Sequence, residues 1–402
     1  MESTDRISPK LGKFRPSLTL GLKAIANERK SKGLPVYDFG LGETKGNLNP
    51  VVKEAGIQAF KDEMTMYADP AGMPELRDAV LDWLALKEHY TIENVTITAG
   101  AKQALFNMIM AICNPGDVVL FDAAPWVSYA PLAYCAYAVP VMVLSLEKKD
   151  NYLKVTPEDL RRNLELRPFS KLFLLNSPCN PTGQLYTAEE VEALLRVCIE
   201  HKIFFALDRL YWKILFDGRS YPEPRIDQET KPWVIQVDGM SKNFRRCGGL
   251  RIGWCVAPDD VSRAMINLQS HYTSGPTTVS QQAALAAITS DYDTELATDL
   301  ENKRNLMQKH CKDIPCVKVF PTDGSFYSFW DVREAFGKKT PSGEILKNSD
   351  DVANYLTRDY GVLTGSGMGF LQNGYLRLCF ATPDETIIEG MAQARKAFES
   401  LK

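Results

Sequence analysis

The sequence lacks several features that would define other classes of protein. No apolar run approaches the roughly 20 residues needed to cross a bilayer, and Met1–Lys10 has no apolar core of the kind found in signal peptides. Neither sign of charge dominates, since 47 Lys and Arg oppose 50 Asp and Glu, and the basic excess used to bind nucleic acid or anionic lipid is missing. We therefore expect a cytoplasmic protein that binds neither nucleic acid nor membrane.

Disulfide and metal-binding patterns are missing as well. The nine cysteines are scattered without a CxxC pair, and only four histidines occur in the 402 residues. This spacing favours reduced thiols over a disulfide framework or a structural zinc site, so we expect no metal. With 45% hydrophobic and 24% charged residues, the composition is that of a globular protein with a large core.

The middle of the chain alternates short apolar runs with helical stretches. Four runs predict buried parallel strands: Asp117–Phe121, Val139–Ser145, Lys171–Asn176 and Ile203–Asp208. Between them, Lys102–Cys113 and Thr187–His201 are predicted helices, and the second begins with a capping box. The pattern predicts an α/β fold with a mostly parallel sheet between helices and ligands at the carboxyl ends of its strands.

The spacing of predicted elements changes after about residue 290. Beyond that point the sequence predicts helix Asp291–Lys312, strand Ser325–Trp330, helix Asp350–Tyr360, strand Tyr375–Phe380 and helix Pro383–Leu401. We therefore predict a large domain of residues 48–290 and a smaller α+β domain formed by residues 1–47 and 291–402. The N-terminal part of the smaller domain contains a predicted helix, Ser17–Lys32.

Two motifs place reactive or anion-binding groups at strand ends. Lys242 lies within Val237–Phe244 and can act as a nucleophilic amine if its surroundings lower its pKa, although most lysines are solvated surface residues. In Thr98–Gln103 a strand gives way to small residues and a helix start, where backbone N–H groups can hold phosphate. Small residues at such turns also occur for steric reasons alone.

Two further strand ends carry polar side chains. Asn180 lies in Asn176–Gly183, a segment whose plainest explanation is a turn. Asp208 ends an apolar strand, where a carboxylate needs a cationic partner or caps a helix, and Tyr211 follows three residues later. An amine, a carboxylate, a phosphate cradle and a strand-end amide are together what a pyridoxal phosphate enzyme requires.

The sequence also resembles a known family, the class I/II aminotransferases among the fold-type I pyridoxal-phosphate enzymes. The resemblance extends from about Arg15 to about Ala397, with the family's motifs in order. It implies that Lys242 carries pyridoxal 5'-phosphate, that Asp208 pairs with the ring nitrogen, and that Asn180 and Tyr211 contact the phenolic oxygen. The other cofactor-binding residues implied by the family are Gly100, Ala101, Lys102, Trp126, Ser241, Arg251 and, from the neighbouring subunit, Tyr67.

The resemblance also implies how the substrate is held. Arg377, within Gly374–Leu378, matches the arginine that binds the α-carboxylate of the amino acid, and Gly42 and Asn180 border the substrate. Lys242 would move the proton at the substrate Cα, with Asp208 and Tyr211 as the other catalytic residues. The partner-subunit role of Tyr67, shared with the His271–Pro276 loop, implies a homodimer with shared active sites.

Two departures from the family leave alternatives open. Arg251 follows Lys242 by one position more than is usual, so Arg245 or Arg246 could bind the phosphate instead. The residues after Gly42 also differ from the family pattern, which predicts an unusual amino acid substrate. The leading hypothesis is transfer of an amino group between an amino acid and a 2-oxo acid. The alternative is a lyase, cyclase or oxidase of a specialised biosynthetic pathway, and a non-catalytic relative is a distant third.

Overall fold

The computed structural model describes residues 18–145, 153–290 and 295–402. Residues 1–17 of the predicted smaller domain and the first residues of the predicted helix Asp291–Lys312 lie outside these ranges. The described residues contain thirteen helices, α1–α13: Leu18–Ser31, Pro50–Lys61, Pro74–Trp83, Ala101–Ile112, Tyr129–Cys135, Pro157–Glu165, Ala188–Glu200, Met240–Asn243, Asp259–Ser270, Thr278–Thr289, Leu296–Cys311, Ser349–Tyr360 and Asp384–Glu399. They also contain thirteen strands, β1–β13: Tyr37–Asp38, Val95–Thr98, Val118–Phe121, Val139–Met142, Ser170–Asn176, Phe204–Asp208, Val234–Gly239, Gly253–Val256, Lys318–Val319, Tyr327–Asp331, Val362–Leu363, Gly365–Ser366 and Tyr375–Cys379.

A seven-stranded sheet forms the centre of the molecule, in the order β2-β8-β7-β6-β5-β3-β4. Its strands are parallel except for β8, which runs antiparallel to both β2 and β7. The inner strands β6 and β7 are mostly apolar and almost completely buried, as expected of parallel strands covered by helices on both faces. The predicted α/β class with a mostly parallel sheet is confirmed, while the antiparallel β8 was not predicted.

The register of three neighbouring strands brings the predicted motifs to one edge. Asn176 at the end of β5 lies opposite Asp208 at the end of β6, and Asp208 lies opposite Val237 of β7. The segment that follows β7 carries Lys242 in the short helix α8. Motifs that are separated in sequence therefore meet at the carboxyl ends of adjacent strands.

A four-stranded antiparallel sheet, β12-β13-β10-β9, lies in the C-terminal part of the chain. The predicted strand Ser325–Trp330 begins two residues later than expected, because Ser325 has a positive φ of 63° that a strand does not accommodate. Strand β1 pairs in parallel with β11, Tyr37 opposite Val362, so the N-terminal part packs on the C-terminal part. The domain boundaries near residues 48 and 290 stay a prediction.

Local sequence signals explain several helix boundaries. Helix α7 begins with the predicted capping box, in which the Thr187 side chain and the Glu190 backbone and side chain are reciprocally bonded. Helices α2 and α3 begin with a proline, whose missing N–H costs nothing in the first turn. Among the helices of the described ranges, none combines the length and apolar character that a bilayer crossing requires. The expected cytoplasmic location stays a prediction.

Candidate active site

A cavity of about 210 Å³ opens where β5, β6 and β7 end. Most of the predicted site residues line it: Gly42, Ala101, Lys102, Trp126, Asn180, Asp208, Tyr211, Lys242 and Arg377. The predicted residues that are not part of its lining are Gly100, Ser241, Arg251 and Tyr67. The tertiary structure thus collects residues from the N-terminal part, five strand ends and the C-terminal sheet around one space.

Lys242 presents its amine to this cavity. The Nζ atom donates a hydrogen bond to the backbone carbonyl of Gly42 and lies 5.7 Å from the centre of the Phe326 ring. Burial lowers the pKa of the Lys242 amine to about 8, and the nearby guanidinium groups of Arg377 and Arg251 lower it as well. A large share of this amine is therefore neutral near pH 8 and able to act as a nucleophile or a base.

Asp208 provides the negative charge of the cavity. Its carboxylate accepts a 2.6 Å hydrogen bond from the Tyr129 hydroxyl and a 3.3 Å bond from the backbone N–H of Leu210. Burial raises the pKa of Asp208 to about 6, although both of these hydrogen bonds act in the opposite direction. Within residues 18–145, 153–290 and 295–402, no cationic side chain forms an ion pair with Asp208. A cationic ligand group would therefore find an unpaired carboxylate here.

Arg377 reaches the cavity from β13. One terminal nitrogen donates to Oδ1 of Asn180 at 3.1 Å, and the other donates to the carbonyl of Gly40 at 2.9 Å. The guanidinium lies 4.5 Å from the ring centre of Tyr327 and 5.1 Å from that of Phe370. Its Nε atom is buried without a hydrogen-bond partner in the described residues. The side chain is held in one orientation and still has donor capacity for a carboxylate.

A chain of amide contacts connects the strand ends. The Asn180 backbone N–H donates to Oδ1 of Asn176 at 2.7 Å, and the Asn176 side-chain amide donates to the Asp208 carbonyl at 2.9 Å. The Asn180 amide lies 3.5 Å from the Tyr211 hydroxyl, which is 3.2 Å from the Tyr327 hydroxyl. These contacts fix the predicted residues relative to one another.

Two tyrosines of the site were missed by sequence reasoning. Tyr129 bonds to Asp208, and Tyr327 contacts both Tyr211 and Arg377. A Cβ atom at Gly42 would overlap the Tyr327 hydroxyl, so this glycine is required by close approach. Tyr327 lies in the predicted strand Ser325–Trp330, and Tyr129 lies three residues after Trp126, but their partners are too distant along the chain for any local pattern to reveal the contacts.

The opposite end of the cavity borders the start of helix α4. Gly100 precedes this helix with a positive φ of 85°, and no side chain of the described residues caps it, so its first N–H groups are available to an anion. The Arg251 guanidinium lies against Gly100 and donates to the carbonyl of Gly248 at 2.8 Å. Lys102 lies 5.1 Å from the Trp126 ring centre, and burial together with Arg251 lowers the pKa of its amine. This end of the site is cationic and open to solvent.

The two alternative phosphate-binding arginines lie in different surroundings from Arg251. Arg245 forms an ion pair with Asp299 at 3.1 Å, and Arg246 is exposed. The extra residue between Lys242 and Arg251 is accommodated by a short 3₁₀ turn, Gly248–Leu250. Arg251 reaches the start of α4, where its guanidinium donates a 3.4 Å hydrogen bond to the carbonyl of Ala99.

Ser241 and Tyr67 lie outside the cavity lining. Ser241 is half-buried in α8, next to Lys242. Tyr67 is 95% exposed and borders a second, apolar cavity of about 870 Å³, together with the loop that contains Ser274 and Pro276. The proposed contact of Tyr67 with the cofactor of a neighbouring subunit involves a second chain and stays a prediction.

The fold and the site define an α/β enzyme in which a buried amine, a carboxylate and an arginine face a cationic helix start. The chain belongs to the aminotransferase class I and II family, whose model matches residues 35–394. This family uses pyridoxal phosphate. The protein is therefore an aminotransferase, and the predicted family and the predicted amino-group transfer are confirmed.

Relatives of similar length support this assignment. The chain is 32% identical to a probable aspartate/prephenate aminotransferase of Rickettsia felis, covering 98% of this chain and 97% of the relative. It is 30% identical to the aspartate aminotransferase of Geobacillus stearothermophilus, covering 98% and 99%. The solved aspartate aminotransferase of Rhizobium meliloti superimposes with a TM-score of 0.92 at 29% identity, covering 98% of this chain and 99% of that structure.

Proposed function

We propose that this chain binds pyridoxal 5'-phosphate in the strand-end cavity and uses Lys242 to move an amino group between an amino acid and a 2-oxo acid. The observation that carries the proposal is that the Lys242 amine and the unpaired Asp208 carboxylate line the same cavity. A covalently attached, cationic heterocycle needs this combination of groups. Membership in a family that uses pyridoxal phosphate supports this choice of cofactor.

The donor set of the cavity fits such a cofactor. A protonated ring nitrogen supplies the positive partner that Asp208 lacks, and a phosphate supplies the anion that Arg251 and the first N–H groups of α4 can bind. The half-buried Trp126 ring on the cavity wall provides a face on which an aromatic ring can stack. The Asn180 amide and the Tyr211 hydroxyl, 3.5 Å apart, provide further polar groups on the cavity wall.

Pyridoxal phosphate, when bound, supplies an aldehyde carbon that can carry an amino group and a ring that withdraws electrons from the substrate Cα. Lys242 contributes the amine that accepts the Cα proton and later returns it, because its lowered pKa leaves a neutral fraction at the operating pH. Arg377 binds the α-carboxylate through its planar donors and so fixes the direction of the Cα–H bond. Asp208, oriented by Tyr129, holds a proton at the ring nitrogen.

We infer that the amino donor is a dicarboxylic amino acid such as aspartate. The names of the relatives support this choice, and Lys102 adds a second cationic side chain, after Arg377, to the lining of the cavity. A second carboxylate on the substrate would be stabilised by such a charge. Because the residues after Gly42 differ from the family pattern, other amino acids should be tested alongside aspartate.

The experiment that tests this function incubates the cofactor-loaded enzyme with single amino acids and no 2-oxo acid. We expect aspartate to yield oxaloacetate in an amount equal to the enzyme, without ammonia, because the amino group stays on the cofactor. Addition of a 2-oxo acid should restore continuous turnover. Release of ammonia or formation of a cyclic product would contradict amino-group transfer, and transfer from a basic or apolar amino acid alone would contradict the proposed donor.

We also propose that the chain forms a homodimer across the face around Tyr67. Several large apolar side chains are exposed there, including Phe60 at 66%, Met66 at 84% and Tyr67 at 95%. They surround the apolar cavity of about 870 Å³, and an exposed apolar surface of this kind is typical of an interface. A second copy would cover this surface and bring Tyr67 towards the partner's phosphate site.

Sedimentation equilibrium tests the homodimer. We expect the unmodified chain to be dimeric at micromolar concentration and the double variant Phe60→Glu, Met66→Glu to be largely monomeric, because two charges would have to be buried. The variant Leu166→Glu, on an exposed apolar residue outside this face, serves as the control and should stay dimeric. A fully active monomer would contradict the shared-site arrangement.

A further inference from the structure

A buried carboxylate behind the cavity joins two segments that carry site residues. Asp238 is fully buried at the end of β7 and does not line the cavity. Its Oδ2 atom accepts a 2.8 Å hydrogen bond from the indole N–H of Trp212, and its Oδ1 atom accepts a 3.0 Å bond from the side-chain amide of Asn243. Trp212 directly follows Tyr211, and Asn243 directly follows Lys242. Through these two neighbouring side chains, the Asp238 carboxylate therefore links the segment that carries Tyr211 to the segment that carries Lys242.

Asn243 adds a second connection between the same segments. Its buried side-chain oxygen accepts a 3.3 Å hydrogen bond from the backbone N–H of Lys213. The helix α8 that carries Lys242 has only four residues, and no side chain of the described chain caps its start at Gly239. Because a helix of one turn has little stability of its own, its position depends on tertiary contacts of this kind.

A buried arginine supports the charge of Asp238. Arg209 is fully buried, pairs with Glu223 at 2.6 Å and lies 4.5 Å from the ring centre of Trp212. Burial raises the pKa of Asp238 to about 7, and the nearby Asp208 also raises it. Arg209, together with the hydrogen bonds that Asp238 accepts, lowers it. In its ionised form the Asp238 carboxylate accepts bonds from both donors.

We propose that Asp238 is a positioning residue for amino-group transfer: through Trp212 and Asn243 it fixes Tyr211 and Lys242 relative to each other. The inference rests on the proposed function, because it takes Lys242 and Tyr211 as the groups that act on cofactor and substrate. Asp238 itself touches neither. Its loss should disturb the placement of the amine while the carboxylate-binding Arg377 stays in place.

The first test measures steady-state kinetics at pH 8 in three variants. Trp212→Phe removes one hydrogen-bond donor to Asp238 but keeps an aromatic ring over Arg209. Asn243→Ala removes the other donor. Asp238→Asn replaces the acceptor that faces Trp212 with a donor. We expect kcat to fall by roughly 10–100-fold, as a displacement of about 1 Å does, with the KM of the amino acid within about twofold of wild type. A KM that rises as strongly as kcat falls would overturn the proposal.

The second test uses the cofactor-free protein and does not depend on turnover. Trace acetylation of Lys242, followed by mass spectrometry over a pH series, gives the midpoint at which the amine becomes reactive. We expect a midpoint near 8 in the wild type. In Asp238→Asn and Trp212→Phe we expect it to rise by roughly 0.5 pH unit or more, because an amine that moves closer to water loses part of its burial shift.

The matched control is Asp159→Asn, the same change at a buried carboxylate that caps helix α6 and does not line the cavity. It should lower stability without moving either kcat or the acetylation midpoint. If Asp159→Asn has the same effects, or if Trp212→Phe and Asn243→Ala have none, the proposal is wrong. If Asp238→Asn does not fold, the results for Trp212→Phe and Asn243→Ala decide alone. A wild-type chain without amino transfer would refute the proposed function, while the acetylation midpoints would still report on Asp238.

Discussion

The two ends of the active-site cavity are built differently. At the ring end, Asp208, Asn180 and Arg377 are all less than a tenth exposed, and each is oriented by contacts within its own chain. At the proposed phosphate end, beside the start of α4, Lys102 and Arg251 are exposed. One chain therefore preorganises the groups that would do the chemistry, whereas the groups that would hold the phosphate are left open to a ligand.

The contrast has an electrostatic reason. Buried groups at the ring end interact through little intervening water, so their charges and hydrogen bonds act strongly on one another and shift pKa values. Water and salt screen the exposed cations at the phosphate end, so these cations act mainly on the affinity for the cofactor. Substitutions at the ring end should therefore change turnover or substrate binding, and substitutions at the phosphate end should change retention of the cofactor.

The largest effect is expected at the ring end, for Lys242→Ala. Removal of the amine should abolish covalent attachment of the cofactor and lower kcat by at least about 10³-fold, because the Lys242 amine is the group that we propose moves the Cα proton. Lys242→Arg should lose as much activity, since its guanidinium stays protonated. Absorbance of the bound cofactor and single-turnover kinetics measure both effects, and retained turnover would contradict the role of Lys242.

A large effect is also expected for Arg377→Lys. Lysine keeps the charge but loses the planar pair of donors, so the KM of the amino acid should rise about 10–100-fold with a smaller change in kcat. Arg333→Lys is the matched control, because Arg333 lies outside the site, is exposed and pairs with Asp331. Unchanged affinity for amino acids in Arg377→Lys would contradict carboxylate binding at this position.

A moderate effect is expected at the phosphate end, for Arg251→Ala. Loss of a charged donor should raise the dissociation constant of the cofactor by about 10-fold or more and change kcat little in saturating cofactor. Equilibrium dialysis measures this constant. Arg246→Ala is the control and should bind as tightly as the wild type. A greater loss in Arg245→Ala or Arg246→Ala would reverse the assignment.

The smallest effect is expected for Asp122→Asn, next to the ring end but outside the cavity. Burial raises the pKa of Asp122 to about 8, so in the cofactor-free protein its contribution to stability is present at low pH and lost as the pH rises from about 4 through about 8. The uncharged variant does not have this loss. The free energy of unfolding in urea of Asp122→Asn, taken relative to the wild type, should therefore be higher at pH 8 than at pH 5 by about 1 kcal/mol or more. A difference that does not depend on pH would contradict the raised pKa.

Much of the fold was predictable because its signals are local. The apolar runs that became β5 and β6 and the capping box at Thr187 depend on neighbours in sequence, and the structure confirms them. The antiparallel direction of β8 was not predictable, since strand direction is set by which strands pair and not by residue composition. Ser325 likewise shortened a strand through a backbone angle that no apolar pattern reveals.

The candidate site was predictable as a set of residues but not as a network. Lys242, Asp208 and Arg377 lie in motifs that the sequence displays, and all three line one cavity. The contacts of Tyr129 with Asp208, and of Asp238 with Trp212, join residues that are far apart in sequence and have no shared pattern. A tyrosine or a strand-end aspartate by itself is as compatible with a structural role as with a role in the site.

The order of motifs along the chain determined the family, the parallel sheet and the types of side chain available for the chemistry. These depend on residue identity and short-range spacing, which are fully contained in the sequence. The three-dimensional structure was needed to establish which donor each buried carboxylate received, which arginine lies at the start of α4, and that one end of the cavity is buried and the other exposed. Burial and hydrogen-bond pairing arise when distant segments pack together, and they set both pKa and orientation.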